Sequence, residues 1–500
     1  MIESQPAIAP LTDEGEVLEC ELCILGAGVA GLNALFAASR HLQSNQAIVM
    51  VDRRPAPAGM WRDVYGYVRL HQPHPMFTAG NIAWQAQLDP SYLADKREVV
   101  DHLQHCFGVL AARTQLTPKF GHEYLGHEDS GSGAHPVTVH LRRLEDGAEV
   151  TVRARRLIKA FGYDIETNEP LKLTSQAVLS LSPDHCNVLA PEVTQAAGDV
   201  YVVGGGKTGM DTAQALVRNA PGTSARLLIG AGTMFMNRDK VSPKGLRRYW
   251  GGVPSLVAFL DAVGCFDGHN EAEAMVLFRR KYCVSLDDDC KRFVFGVLSE
   301  QENEEIRSGV REIIRDHLVD IVDGANGPEM LLRSGARRPV KPGSVVLNAT
   351  GYLKSDRQAY EPYLSKTGNV LSIQPTSAIH FLSSQASYFL SHLFLADKLA
   401  GLPLYEVDAL QLRDVSRDAF PAAAMTHTIY NTSVIIRSLP RWVLDENGLN
   451  VLLVFPKHRR LITIAKFIRF LKRNPGHMAK SMDVVRERFG IRLGPLAART

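Results

Sequence analysis

An α/β fold built on two similar units is what the sequence predicts, and three observations predict it. Two glycine-rich turns, GAGVAGL at 26–32 and GGGKTGM at 204–210, each follow a run of β-branched and apolar residues and precede a helical pattern. An acidic residue, Asp52, closes the apolar run that follows the first turn. The chain has 500 residues and is 45% hydrophobic, enough for a large core divided among roughly two to four domains. Together these point to two Rossmann-like dinucleotide-binding domains, the second inserted in the first.

In chain order, CELCILGAGVAGLNALFAASRHL reads as strand, tight turn and helix, and AIVMVDRR supplies a second strand ending at Asp52. A helical pattern over about 98–113 precedes alternating strands through PVTVHLRRL and EVTVRARRLIKAFG, with hairpin character and a Gly/Ser-rich turn at EDSGSGAH. The text beyond 165 is irregular until DVYVVGGGKTGMDTAQALVRNA restarts the strand, turn and helix. Residues of about 246–325 are charge-rich and read as a mostly helical insertion. GSVVLNATGYL is a further buried strand, after which the chain should return to the first domain. TSAIHFLSSQASYFLSHLFLADKL has the spacing of a buried helix. The expected boundaries are 1–195 and 343–500 for the two parts of the first domain, with 196–342 as the second.

Charge excludes one class of function. A formal net charge of +3, from 56 basic and 53 acidic side chains, is too small and too dispersed for a nucleic-acid surface and favours a small-molecule substrate. The N-terminal MIESQPAIAPLTDEGEVLEC lacks the basic flank and apolar run of a signal peptide, and no apolar run is long enough to cross a bilayer, so a cytoplasmic location is expected. Seven cysteines without a repeated spacing argue against a disulfide framework or a zinc site, and no metal is expected. Cys20 and Cys23 form a C-x-x-C on the first strand, where alternation points residues three apart to opposite faces and strand packing is the expected role.

The chemistry is carried by the turns. In the first, Gly26 lets the chain bend, Gly28 lets the backbone approach a pyrophosphate, and Gly31 permits close packing of helix on strand. The helix N-terminus then faces the phosphates. Asp52, 21 positions after Gly31 and followed by Arg53, is placed to accept hydrogen bonds from a ribose. In the second turn Gly204, Gly206 and Gly209 repeat the spacing, with Lys207 and Thr208 at the helix start. No acid stands about twenty residues on. A carboxylate there would repel a 2′-phosphate, whereas Arg238 and Lys240 follow, so NADPH is expected over NADH. A nucleoside-triphosphate P-loop is excluded because Tyr201 stands where its first glycine is required.

With AGMW at 58–61 and NATGY at 348–352, the ordered set resembles the flavin-containing monooxygenase and N-hydroxylase group of flavoproteins with two dinucleotide-binding domains. The resemblance thins after residue 380. It implies FAD on the first turn, NADPH on the second, the Met60–Trp61 segment against the flavin, and a linker at Thr350 and Gly351. The group carries an asparagine shortly after its G-x-W segment. Here YVRLHQP puts Gln72 in that place, which implies an amide that helps to hold an oxygenated flavin. Arg69 and His71 on the same segment are read as a cation for the reduced ring and a proton relay. His74 is read as structural. The group's F-x-G-x-x-x-H segment is absent, since 179–198 read LSLSPDHCNVLAPEVTQAAG, so the resemblance is to a divergent member.

The implied activity is oxygenation of a small molecule at nitrogen, sulfur or a ketone by O₂ through a C4a-(hydro)peroxyflavin. A flavin-dependent NADPH oxidase or dehydrogenase would show the same two turns. The tail KHRRLITIAKFIRFLKRN offers a third reading, a helix on a membrane surface, with Leu461, Ile464, Ile468 and Leu471 on one face and Arg459, Lys466, Arg469 and Arg473 opposite. A tail helix packed on its own domain is the plainer expectation. The sequence does not determine oligomeric state.

Overall fold

A computed structural model describes residues 16–162, 167–351 and 359–495. The N-terminal segment read for a signal peptide lies largely outside these residues, as does Tyr352 of NATGY.

The first unit begins with β1 (Glu16–Leu25), α1 (Val29–His41) and β2 (Ala47–Asp52), as the apolar runs and the intervening turn require. It continues through α2 (Lys96–Ala111), β3 (Gln115–Phe120), β4 (His122–Asp129), β5 (Val137–Arg143) and the long β6 (Glu149–Lys159). The α2 helix starts at a capping box, in which Asp95 accepts from the Glu98 amide and Glu98 accepts from that of Asp95. The strands order as β3-β2-β1-β6-β5-β4. The first four are parallel, and β4 and β5 add an antiparallel edge. The EDSGSGAH turn joins β4 to β5.

The second unit comprises β7 (Leu179–Leu181), the short α3 (Pro191–Thr194), β8 (Val200–Val203), α4 (Lys207–Asn219) and β9 (Ala225–Leu228). It is followed by β10 (Thr233–Asn237), α5 (Arg238–Val241), α6 (Arg247–Trp250), α7 (Ser255–Cys265), α8 (Glu271–Tyr282), β11 (Cys283–Ser285), β12 (Arg292–Leu298) and α9 (Glu300–Gly309). Then come β13 (Glu312–Ile314), β14 (Leu318–Gly324), β15 (Gly327–Leu332), β16 (Arg337–Pro339) and β17 (Val345–Asn348). Its main sheet, β13-β9-β8-β17-β7, is parallel throughout. The chain re-enters the first sheet at β18 (Val370–Ser372), which pairs with the C-terminal end of β6.

The segment 246–325 departs from the expected helical insertion. Helices α6 to α9 are there, but β11, β12, β13 and β14 interrupt and follow them. The reason lies in residue type: α9 stops at Gly309, and Val310, Ile313, Ile314, Val319, Ile321 and Val322 beyond it are β-branched, which favours a pleated strand. In FVFGVL the same composition makes β12, which pairs in parallel with β10.

The C-terminal part runs through α10 (Ser383–Leu395), β19 (Tyr405–Val407), α11 (Ala409–Val415), α12 (Phe420–Ser438), α13 (Arg441–Asp445), α14 (Lys457–Arg473), α15 (His477–Phe489) and β20 (Leu493–Pro495). The expected buried helix is α10, with Tyr388 and Leu393 inaccessible and the Ser387 hydroxyl donating to the Ala30 carbonyl of α1 at 2.6 Å. One apolar core joins the insertion to the tail: Phe259 and Phe278 from α7 and α8 pack with Met425 of α12, Phe467 of α14 and Met482 of α15. Cys20 and Cys23 are both buried on β1. Both enter one apolar cluster, and burial pushes the Cys20 thiol up to about 12 and the Cys23 thiol well above its ordinary value, so neither is a ready thiolate.

Candidate functional site

The two glycine turns are built alike at atomic level. Gly26 has φ +100° and donates its amide to the Val51 carbonyl at 2.7 Å; Gly204 has φ +143° and donates to the Leu228 carbonyl at 2.9 Å. A Cβ on Gly26 would lie 2.6 Å from the Ala160 carbonyl oxygen, and one on Gly204 would lie 2.1 Å from that of Ala349. The helix behind each turn sits as close: a Cβ on Gly31 would meet the Gly26 carbonyl oxygen at 1.7 Å, and one on Gly209 would meet that of Gly204 at 1.9 Å. Only glycine satisfies either arrangement. Gly28 and Gly206 are the N-caps of α1 and α4, and neither helix start has a side-chain cap. Each therefore presents free amides and the positive end of its dipole at the carboxyl edge of a parallel sheet, where a pyrophosphate would bind.

Asp52 stands at the end of β2 beside the first turn, as expected. It also braces that turn. One carboxylate oxygen accepts from the Ala27 amide at 2.7 Å and the other from the Arg54 amide at 2.9 Å. Arg53 is exposed next to it. The Met60–Trp61 segment forms a short 3-10 turn over Gly28, with Gly59 so close that a Cβ on it would lie 2.9 Å from the Gly28 Cα. Trp61 packs edge-on against Phe77.

Residues 64–74 bridge the two units. The Tyr65 hydroxyl donates to Asp211 at 2.8 Å, and the Tyr67 hydroxyl is 2.6 Å from the Thr212 hydroxyl, both on α4. Lys207 forms an ion pair with the same Asp211. At the other end, the Leu70 amide donates to Ala94 and the His74 amide to Tyr92. Gln72 is half-buried between these anchors. His74 is buried edge-on against Trp84, the structural setting expected for it.

His71 faces the second unit. Burial, with the charges of Lys207 and Arg238, lowers its pKa to about 3, against a smaller opposing effect of Glu302, so the imidazole is neutral near pH 7. Arg69 points elsewhere. It is exposed, donates to the Leu93 carbonyl at 3.0 Å and lies over the Tyr92 ring, so it braces the segment from outside.

Arg238 departs from its expected place on a 2′-phosphate. It is 3% exposed, donates to the His71 carbonyl at 2.9 Å and pairs with Glu302 at 2.8 Å. Although burial raises the Glu302 pKa, the Arg238 charge and hydrogen bond, the Ser299 amide and Lys207 together hold it down to about 2. Lys240 donates to the Lys281 carbonyl at 3.0 Å. Both cations are occupied because the chain after β9 turns back into β10 and carries them toward α8 and α9. The end of β9 meets other residues. A Cβ on Gly230 would lie 2.8 Å from His317 Nε2, and His317, its pKa lowered by burial, also feels the cations Arg333, Arg417 and Arg292. Sequence spacing could not identify these, since they arrive from β12, from beyond β13 and from the C-terminal part.

Thr350 and Gly351 follow β17 beside the second turn. The Thr350 hydroxyl donates to Asn348 at 2.8 Å, and Asn168 donates to the Thr350 carbonyl at 2.8 Å.

A small recess lies at the edge of the first sheet, lined by residues that include Gly162, Gln374, Ser377, His380 and Ser383. The Ser377 hydroxyl is buried and has no hydrogen-bond partner among the described residues. The start of α10 has no side-chain cap. An unpaired hydroxyl and free helix amides suit a polar, electron-rich ring edge. The His380 ring takes the Leu382 amide on Nδ1 at 2.9 Å, so its proton is on Nε2, and burial with His427 nearby lowers its pKa to about 3. Beside it Phe381 stacks on Phe295, whose φ of +60° accompanies an irregular β10–β12 pairing.

No protein-family model matches the chain. Uncharacterised proteins of Mycobacterium tuberculosis and Mycobacterium bovis are 29% identical to it over 230 residues, which cover 43% of this chain and 39% of theirs. The chain thus aligns with well under half the length of these curated relatives. Among solved structures, it is similar to a flavin-containing monooxygenase from Stenotrophomonas maltophilia (15% identity, TM-score 0.47) and to an ornithine hydroxylase from Pseudomonas aeruginosa (16%, 0.48). It is also similar to a bacillithiol disulfide reductase from Bacillus cereus (12%, 0.44). Each of the three aligns over 76% of this chain and 99% of its own. The solved proteins the chain is similar to therefore include flavin monooxygenases and a disulfide reductase.

Proposed function

We propose that the chain is an FAD- and NADPH-dependent monooxygenase that transfers one atom of O₂ to a soft heteroatom or a ketone of a small molecule, with the NADPH unit set within the FAD unit. The observation that carries this reading is the pair of equivalent, uncapped glycine turns joined by one bridging segment. Two dinucleotides held at the edges of two linked sheets are what electron transfer between cofactors requires. Disulfide reduction is disfavoured, because Cys20 and Cys23 are buried as poorly ionised thiols.

Bound FAD supplies the two-electron transfer from NADPH to O₂. The protein's part is holding, orienting and excluding water. Gly26, Gly28 and Gly31 admit one pyrophosphate, Asp52 takes the ribose, and the Met60–Trp61 turn covers it. Gly204, Gly206 and Gly209, with Lys207 and Thr208, admit the other. Gln72 offers an amide hydrogen bond near the reacting centre, and the neutral His71 and His380 donate without adding charge. Arg69 positions the Gln72 segment through Leu93. Selection of NADPH falls to Arg333 and Arg417, whose charges act on His317 next to Gly230, in place of Arg238 and Lys240. The Phe295–Phe381 stack supplies an apolar wall suited to an uncharged substrate.

Rapid mixing tests the proposal. The purified protein is reduced anaerobically with NADPH, and separately with NADH, then mixed with O₂ while flavin absorbance is followed. A distinct phase that outlasts reduction before oxidised flavin returns, with faster reduction by NADPH, is expected. Direct return with stoichiometric H₂O₂, unchanged by candidate amines, sulfides or ketones, would assign an oxidase or dehydrogenase instead.

A further inference from the structure

The helix α14 packs on the protein by one narrow face and leaves most of its apolar residues outside. Thr463 and Phe467 are buried, and Phe470 and Leu471 lean on the core of α7 and α12. A Cβ on Gly264 of α7 would lie 3.2 Å from the Phe470 ring, so the two helices are in close contact. The stripe formed by Leu461, Ile464 and Ile468 points away from that contact. Their exposures are 67%, 44% and 47%, and Ile462 beside them is 51% exposed. These are three and four residues apart, so they form one continuous ridge.

A second apolar group adjoins its N-terminal end. Arg459 turns inward and donates to the Gly251 and Gly252 carbonyls at 3.2 and 2.8 Å, fastening the end of α6 to the start of α14. Leu246 and Trp250 of this attached segment are each 70% exposed, and Tyr249 is 43% exposed. Seven of the seventeen large apolar side chains exposed among the described residues therefore fall in these two short segments, whereas scattered exposure is what an ordinary surface shows.

Charge identifies the occupant. From Asn447 to Met482 the chain has eight lysines and arginines and no acidic residue, and from Lys240 to Leu260 it has four and none. Lys466, Arg469, Lys472 and Arg473 flank the ridge, and Lys244, Arg247 and Arg248 surround Trp250. No helix of the described residues is long and apolar enough to cross a membrane. A ridge of isoleucine and leucine with a tryptophan at one end and a border rich in cations, with Asp89 near Arg248 as an acid from another segment, suits shallow burial among anionic headgroups. We infer that α14, together with the α6 segment, is a docking surface for an anionic lipid bilayer. This inference is independent of the proposed activity.

The experiment is flotation of the full-length protein with vesicles of phosphatidylcholine alone and of phosphatidylcholine with 30% phosphatidylglycerol, roughly the charge of an anionic leaflet. Binding to the anionic vesicles in low salt, at least ~10-fold weaker on neutral vesicles or in 0.5 M salt, is expected. The double substitution Ile464→Glu/Ile468→Glu should reduce binding by at least ~10-fold, and Trp250→Ala by a smaller factor, with the melting temperature unchanged because all three sites are exposed. Val319→Glu, an exposed apolar position on β14, serves as the control and should bind as the parent does. No flotation in low salt, or flotation unaffected by the double substitution, would overturn the inference. So would a dimer in sedimentation velocity that the same substitution dissociates, since the ridge would then be covered by a second copy of the chain.

Discussion

Gly209 shows how narrowly a single residue is constrained. A methyl group 1.9 Å from the Gly204 carbonyl oxygen forces α4 away from its turn, at a cost of ~1–3 kcal/mol. Gly209→Ala should leave a folded, yellow protein whose anaerobic reduction by NADPH is at least ~10-fold slower, because the disturbed turn is the second and not the first. Stopped-flow reduction with measured flavin content separates the two. The cations divide in the same manner. Arg238→Met leaves Glu302 buried without its partner and should destabilise the protein by ~3 kcal/mol in denaturant unfolding. Arg333→Met should leave stability alone while raising KM for NADPH ~10-fold and leaving KM for NADH unchanged. Equal effects on both nucleotides would remove Arg333 from the 2′-phosphate. Arg238 and Lys240 were legible as cations in the right part of the sequence, but not their partners, because Glu302 and Lys281 arrive from elements more than forty residues later.

At the level of elements, the bridging segment matters most. Tyr65 and Tyr67 tie residues 64–74 to α4, and Leu70 and His74 tie them to the stretch before α2. Replacing both tyrosines by phenylalanine removes two hydrogen bonds while keeping the rings, a loss of ~1–3 kcal/mol confined to this contact. The expected outcome is faster amide exchange over 64–72 and a ~2–5-fold rise in H₂O₂ released per NADPH consumed, with flavin content unchanged. Exchange that is unaltered would make the bridge a packing contact only. The motif that announced this segment, G-x-W followed by a tyrosine, was visible in the sequence. Its role as a bridge was not, because Asp211 and Thr212 meet it only when the two sheets are assembled. The second half of the insertion shows the opposite difficulty: its charges suggested helix, and its β-branched residues, which made β13 and β14, carried the stronger local preference.

For the whole molecule, buried histidines set the acid limit. Burial lowers the pKa of His102 and His392 to about 3 and that of His427 to about 4, while each takes up a proton near 6.5 once unfolded. Between those values the unfolded chain binds more protons than the folded one, so stability is present above pH 6.5 and lost as pH falls. Each histidine contributes about 1 kcal/mol between pH 6.5 and 5.5, because the unfolded imidazole is only half protonated at 6.5, so these three with the similarly lowered His71 and His380 should together remove roughly 5 kcal/mol over that unit. Glu302, held at about 2, adds to the loss only below about pH 4.5. Urea unfolding at pH 7.0, 6.5, 6.0 and 5.5 measures the slope, and a midpoint that does not move would mean that these side chains are charged in the folded state.

What the sequence determined by itself is what depends on neighbours along the chain. The strand–turn–helix at 20–42 and at 199–220, the acid at the end of β2 and the buried character of α10 follow from side-chain period and from the steric demands of glycine, both local. Tertiary structure alone decided that Arg238 is taken up by Glu302 and Lys240 by the Lys281 carbonyl. It also decided that Cys20 and Cys23 share one cluster, and that the ridge on α14 faces outward while Phe467 faces in. These outcomes depend on desolvation and pairing between distant segments, and a charge or an apolar side chain acquires its role only when packing determines what lies opposite it.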